Sequence, residues 1–216
     1  MISFVSNIRN FIIVLGVYLV TGVLGMPQQS IAASPDSATK PDQFIQALAD
    51  KAISVLSDQR GTLNDREQKF HAILRDDFAM KKIGRFVAGK YWRPMSIEQK
   101  QQYQKLFEEW ILKTYSIRFG GYSGEMVNVL KTIQAGATDV FVLTRIDSAK
   151  RRSLKVDWRV RRIDGKFKII DVVVEGVSML VTQKAEFGAI IRQRGIDGLI
   201  AVLRSQLEQL AATKPS

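Results

Sequence analysis

Two carboxylates at the end of an apolar run are the residues best spaced for chemistry. Asp171 and Glu175 stand four apart in Lys168-Ile169-Ile170-Asp171-Val172-Val173-Val174-Glu175, nominally on one face of an extended segment. A carboxylate in apolar surroundings acquires a raised pKa and can serve as a general base. The competing and preferred reading makes Asp171 a structural acceptor, bonded to backbone, Trp or Arg groups beside a ligand pocket. Other constellations fall short of their motifs. Gly84-Arg85-Phe86-Val87-Ala88-Gly89-Lys90-Tyr91 is one residue from a phosphate-binding loop, but Tyr91 stands where Ser or Thr must hold magnesium. A helix rather than a buried strand also precedes it. Gly176-Val177-Ser178-Met179-Leu180 lacks the final Gly of a nucleophile elbow, and the single histidine, His71, lies far away in a charged helix. The chain has no cysteine, so thiol and disulfide chemistry are excluded. One histidine rules out a His-rich metal site, and no local Asp/Glu cluster suggests calcium. No cofactor is expected.

The elements that must position these residues are readable from periodicity. Leu154, Val156, Trp158 and Val160 alternate with charged residues, the period of a half-buried strand. Asp164-Gly165 supplies a two-residue hairpin turn, and Phe167 to Val174 returns. The expected register pairs Val160 with Ile169, Trp158 with Asp171 and Val156 with Val173, which leaves Asp171 in the middle of an apolar, aromatic face. Helices are expected at Pro41–Ser57, from about Asn64 through Phe78, and at Met80–Ala88 with a stop at Gly89. Ser96-Ile97-Glu98-Gln99 is a capping box that opens the longest helix, running to about Phe119. Strands near Met126–Lys131 and Asp139–Asp147 precede the hairpin, and helices at Met179–Arg192 and Ile196–Leu210 follow it. Helices, then an antiparallel sheet, then helices describe an α+β fold with helices packed on a curved sheet.

The first 32 residues read as an export signal. Arg9 is the only charge before Asp36, Phe11–Leu24 is apolar, and Ser30-Ile31-Ala32 fits a small-x-small cleavage site. A retained transmembrane anchor is the alternative, weakened by the shortness of the run and by Gly16 and Gly22. Residues 33–42 then form a linker, and 43–212 a single domain. The formal net charge is +11. In an exported protein such charge suits anionic headgroups, lipopolysaccharide or an acidic partner protein rather than nucleic acid.

Several blocks together resemble the MlaC family, also known as toluene-tolerance auxiliary components of an ABC transport system. They are Ile83-Gly84-Arg85-Phe86-Val87-Ala88-Gly89-Lys90-Tyr91-Trp92-Arg93, then Ser96-x-Glu98-Gln99, Phe107, Thr114-Tyr115 and Tyr122. Val156-Asp157-Trp158-Arg159-Val160, Lys168 through Ser178, Phe187 and Gly195-x-Asp197-Gly198-Leu199 follow in the family's order. Ala88 stands where Leu is commoner, and Lys184 where Arg is commoner. The resemblance implies a periplasmic phospholipid carrier, similar in fold to nuclear transport factor 2, with an apolar cavity for acyl chains. It implies shuttling between an outer-membrane lipoprotein–porin complex and an inner-membrane ABC transporter with an MCE-domain subunit, maintaining outer-membrane lipid asymmetry. A related branch associated with hopanoid loci makes a polycyclic triterpenoid the alternative cargo.

Periodicity, independently of the resemblance, selects Trp92, Phe107, Ile111, Tyr115, Val142, Trp158, Val160, Ile169 and Val173 as cavity lining. Each reads equally well as ordinary core. The basic cluster Lys150, Arg151, Arg152, Arg159, Arg161 and Arg162 suits an acidic partner or headgroups, and reads equally as a solvated face. An enzyme using Asp171 as base, or a structural adaptor binding envelope proteins, remains a competing reading.

Overall fold

The structure is a computed structural model that describes residues 40–212 apart from 59, 61, 117–123 and 150. The export signal, its cleavage site and most of the expected linker lie outside the described residues, as do Lys150, Tyr122 and the expected end of the longest helix. Helix α1 spans Pro41–Ser57, with Pro41 in its first turn, where a missing N–H costs nothing. Helix α2 spans Leu63–Asp77 and opens on a reciprocal cap. Thr62 Oγ1 accepts from the Asp65 N–H at 3.1 Å, and the Asp65 carboxylate accepts from the Thr62 N–H at 2.9 Å. Helix α3 spans Met80–Ala88 and ends where Gly89 takes φ 58°. A short 3₁₀ turn, Gly89–Trp92, leads to α4, Ile97–Ser116. The expected capping box is present: Ser96 Oγ accepts from the Gln99 N–H at 3.1 Å, and Gln99 Oε1 accepts from the Ser96 N–H at 3.0 Å.

Five strands follow in simple meander order: β1 Met126–Ala135, β2 Asp139–Ser148, β3 Arg151–Ile163, β4 Lys166–Val174 and β5 Val177–Ser178. All neighbours are antiparallel. Asp164 (φ 50°) and Gly165 (φ 78°) make the β3–β4 turn with the left-handed pair such a hairpin demands. The chain closes with α5, Met179–Ala212, broken at Gly195 (φ 71°, ψ −179°), so that the two expected helices meet end to end. Gln99 Nε2 donates to Asp197 Oδ1 at 2.8 Å and ties the start of α4 to the turn after that break. No described helix is long and apolar enough to cross a membrane.

The expected hairpin register holds only next to its turn. Val160 does pair with Ile169, but an extra residue in β4 then places Asp171 opposite Arg159, Val172 opposite Trp158 and Val174 opposite Val156. This is a β-bulge, with two residues of one strand facing one of the other. A one-residue shift sends every later side chain to the opposite face. Asp171 therefore leaves the Trp158 face, and so does Val173, which pairs with Asp157.

The buried apolar residues fall into two clusters. One is helical, with Val87, Met95, Tyr103, Phe107, Trp110, Phe187, Ile191, Leu199 and Leu203 from α3, α4, α5 and the loop before α4. Its aromatic centre stacks Tyr103 on Phe107 at 5.8 Å and sets Phe187 edge-on to Phe107 at 6.1 Å. The other joins one sheet face (Val142, Val160, Ile169) to Ile45 and Leu48 of α1 and Ile73 of α2.

On the opposite sheet face, Asp139 is buried beneath two arginines. Arg159 Nη2 lies 2.6 Å from its Oδ2 and Arg161 Nε 2.5 Å from its Oδ1. The Arg161 hydrogen bond, with help from Arg159 and against the cost of burial, holds the Asp139 carboxyl down at about 2. A carboxylate depressed in the folded state adds stability above its unfolded pKa, near 3.8, and loses it as pH falls toward 2. Because both arginines are about one-third exposed, solvent screening limits the contribution to roughly 1–2 kcal/mol. Asp139→Asn is expected to lower the melting temperature at pH 7 and to flatten its fall between pH 4 and 2, checked by thermal melts across that range.

Candidate functional site

The nine residues selected by periodicity distribute across both clusters. Phe107 is at the centre of the helical cluster, fully buried, with Trp92 and Ile111 packed against its margin. Val142, Val160 and Ile169 form the floor of the sheet cluster, and Trp158 packs beside them. The Trp158 indole N–H is satisfied by Thr144 Oγ1 at 3.1 Å, and Thr144 in turn donates to the Val156 carbonyl at 2.7 Å. These bonds anchor the ring on an otherwise apolar face. Tyr115 lies in the last turn of α4 and is 38% exposed. Val173 lies on the far face of the sheet from Trp158, as the bulge dictates.

A domain of this size ordinarily has one contiguous core with smaller satellites. Here neither cluster is a satellite. The helical one contains no strand residue, and the sheet one contains nothing from α3, α4 or α5. Helix α2 spans the division. Its Ile73 belongs to the sheet cluster, while its other side is salt-bridged to α4 through Arg75–Glu108 at 2.8 Å and Glu67–Lys113 at 3.1 Å. Those two bridges run α2 and α4 antiparallel. Such an arrangement can present apolar walls from two sides to an apolar guest.

Asp171 serves neither face as a free carboxylate. Its Oδ2 accepts from Ser178 Oγ at 2.6 Å and its Oδ1 from the Leu180 N–H at 3.1 Å, while Ser178 Oγ accepts from the Val181 N–H at 3.0 Å. Two of the otherwise unpaired N–H groups at the start of α5 are thereby satisfied, and the helix N-terminus favours the negative charge. The hydroxyl that a nucleophile elbow would expose is the cap of this helix. Glu175, with φ 48°, turns back and accepts from the Lys155 N–H at 2.8 Å. Among the described residues, no group of three or more His, Cys, Asp or Glu side chains is arranged to hold a metal.

Lys150 and the Arg151 side chain lie outside what the structure describes, and of the other four basic residues three are occupied from within. Arg159 and Arg161 grip Asp139, and Arg162 donates to the Gly165 carbonyl at 2.8 Å while lying over the Phe167 ring at 4.3 Å. Arg152 is exposed. Asp139 was missed as an organising residue because its partners lie 20 and 22 positions away, with no local spacing to betray them.

The fold and the divided core define the class: an α+β domain with helices on a five-stranded antiparallel meander, carrying apolar surface in two separate clusters. A family model described as MlaC protein matches residues 46–205, and the chain belongs to that family. It is 26% identical over 180 residues to the intermembrane phospholipid transport system binding protein MlaC of Haemophilus influenzae, covering 79% of this chain and 84% of that protein. The fold is similar to that of a phospholipid-binding protein from Ralstonia solanacearum solved in complex with a phospholipid. That match has a TM-score of 0.71 at 22% identity and covers 79% of this chain and 98% of the other.

If Asp171 pins α5 to the sheet, its loss is a stability defect. Ser178→Ala should cost about 1 kcal/mol as a lost cap. Asp171→Asn should cost about 1–3 kcal/mol, since an amide turns a donor toward one of two donors. Urea unfolding of both variants measures this, and the double variant should cost less than the sum because the two side chains share one bond.

Proposed function

We propose that this protein is a periplasmic carrier of phospholipid between the inner and outer membranes. The observation that carries the reading is the division of the apolar core between a helical and a sheet cluster. Membership of the MlaC family supports it, as do the transport role named for the Haemophilus relative and the phospholipid bound by the Ralstonia protein. Trp92, Phe107, Ile111 and Tyr115 would contribute one wall, and Val142, Trp158, Val160 and Ile169 the other. Val173 is left out because it lies on the other sheet face.

The physics of the cargo sets the requirement. Each buried CH₂ is worth ~0.8 kcal/mol, so one sixteen-carbon chain represents roughly 12 kcal/mol. A phospholipid cannot leave a bilayer at a useful rate unless a comparably dry surface receives it. Direction then follows from differential affinity between the free carrier and the carrier docked to its donor or acceptor. An outer-membrane lipoprotein–porin complex and an inner-membrane ABC transporter with an MCE-domain subunit are the docking partners in this reading. The chain itself needs no catalytic residue.

Purification of the protein from the envelope, followed by native mass spectrometry and solvent extraction, tests the reading. Stoichiometric phospholipid is the expected outcome, and Trp158→Asp should abolish its retention. A lipid-free mass, with no uptake from liposomes, would overturn the carrier function.

A further inference from the structure

The stretch from Phe78 to Ile97 contains five cations, Lys81, Lys82, Arg85, Lys90 and Arg93, and no acidic residue. Three of the five fall on α3, whose two sides differ sharply. Met80, Gly84, Val87 and Ala88 are buried, which leaves Lys81, Lys82, Arg85 and Phe86 on the outer side, all of them exposed. Lys82 with Arg85 and Phe86, and Lys81 with Arg85, stand at the i, i+3 and i, i+4 spacings of neighbours on one helix face. Among the described residues, none of the five cations is ion-paired. Like charges at this spacing repel, and an anionic partner would turn that cost into attraction.

A second helix joins this face through direct contact. Phe86 is 43% exposed, and Lys184 Nζ of α5 lies over its ring, 4.4 Å from the centroid. The stem of the same lysine crosses Gly89, where an added Cβ would stand 3.0 Å from Lys184 Cε. Val181, three residues before Lys184 and on the same side of α5, is 58% exposed. Phe86 and Val181 thus flank Lys184, with Lys81, Lys82 and Arg85 beside them on α3. Glu186, the next acidic residue along α5, is half-buried and accepts from Gln183 Nε2 at 3.2 Å. A single exposed apolar side chain needs no explanation, but two set among unpaired cations of one sign form an amphipathic surface.

We propose that the outer side of α3 and the first turns of α5 dock the protein on an anionic bilayer surface. Lys81, Lys82, Arg85 and Lys184 meet the headgroup charge, while Phe86 and Val181 enter the boundary between headgroups and acyl chains. Three of these four cations are lysines, point charges on flexible stems that follow a fluid array of headgroups without a fixed geometry. A folded acidic protein is the poorer fit, because the face carries no anion to set a partner's register. The inference goes beyond the carrier reading and does not depend on it. It concerns where the whole molecule settles, not what its interior holds.

The test is co-sedimentation of the protein, as isolated, with vesicles of phosphatidylcholine alone or with phosphatidylglycerol mixed in. Binding about tenfold or more tighter to the anionic vesicles is expected, weakening as salt is raised. The combined variant Lys81→Gln, Lys82→Gln, Arg85→Gln should lose about fivefold per charge, roughly 100-fold in all. Lys131→Gln, Lys155→Gln, Lys166→Gln removes the same charge from exposed strand positions and should change affinity by about threefold at most. Phe86→Ala should weaken binding severalfold without altering its salt dependence, and thermal melts check that every variant folds. Equal binding to both vesicles, or equal losses in the two triple variants, would overturn the docking face. Capture of polyglutamate through Lys81, Lys82 and Arg85, with no preference among vesicles, would assign the face to an acidic protein and overturn the bilayer. None of these readouts needs lipid inside the protein, so failure here leaves the carrier function standing, and a lipid-free interior leaves the docking face standing.

Discussion

The hydrogen bonds of Asp171 hold the helical half of the molecule to the sheet. Helix α5 supplies Phe187, Ile191, Leu199 and Leu203 to the helical cluster, and it leaves the sheet directly from the end of β5. The direction of that departure is fixed where Asp171 accepts from Ser178 and Leu180. The bulge in β4 makes this possible, because without the extra residue Asp171 would stand on the Trp158 face among apolar side chains. The same strand receives a second anchor on its outer edge. Strand β5 covers only Val173 and Val174, and beyond it the Ile169 carbonyl accepts from the Ala79 N–H at 2.9 Å. Lys168 reaches the Asp76 carbonyl from the same segment. The corner between α2 and α3 and the start of α5 are thus both fastened to β4, one on each side of the bulge.

Much of this was legible in the residues. Ser96 and Gln99, Asp164-Gly165, Gly89 and Gly195 each act within a few positions of themselves, so their type alone announces a cap, a turn or a stop. The bulge was not legible for a physical reason. Ile169, Ile170, Val172, Val173 and Val174 form a nearly continuous apolar run, which carries no period of two from which to count a register. Anchored only by the hairpin turn, the count slips wherever a residue is added. The pairing of Asp139 with Arg159 and Arg161 was hidden by distance along the chain. The site presented a different difficulty: periodicity identified residues that are mostly buried or half-buried, with Tyr115 exposed, but burial in the helical cluster and burial in the sheet cluster leave the same mark on a sequence.

The division of the core also changes how stability should be understood. In a protein with one core, every buried apolar group contributes to holding the whole together, and overfilling or emptying it is costly. With two clusters joined chiefly through α2, through β4 and through the start of α5, each half can retain its packing while the separation between them adjusts. The aromatic contacts of Tyr103, Phe107, Trp110 and Phe187 lie wholly within the helical half, and Phe44 meets Phe167 wholly within the other. A carrier benefits from this, because its cargo must enter without dismantling the walls.

A carrier must also release what it binds. Apolar burial alone makes retention stronger with every methylene and offers no handle by which a partner could loosen it. The joint between the two clusters supplies such a handle, since their separation sets how much of the chain they cover. A docking partner that favoured the closer spacing of the two clusters would stabilise the empty carrier and shift the balance toward release. In that arrangement the sheet and helical clusters fix how tightly a chain is held, while the contacts that join them through α2 and the start of α5 set how readily the exchange is tipped.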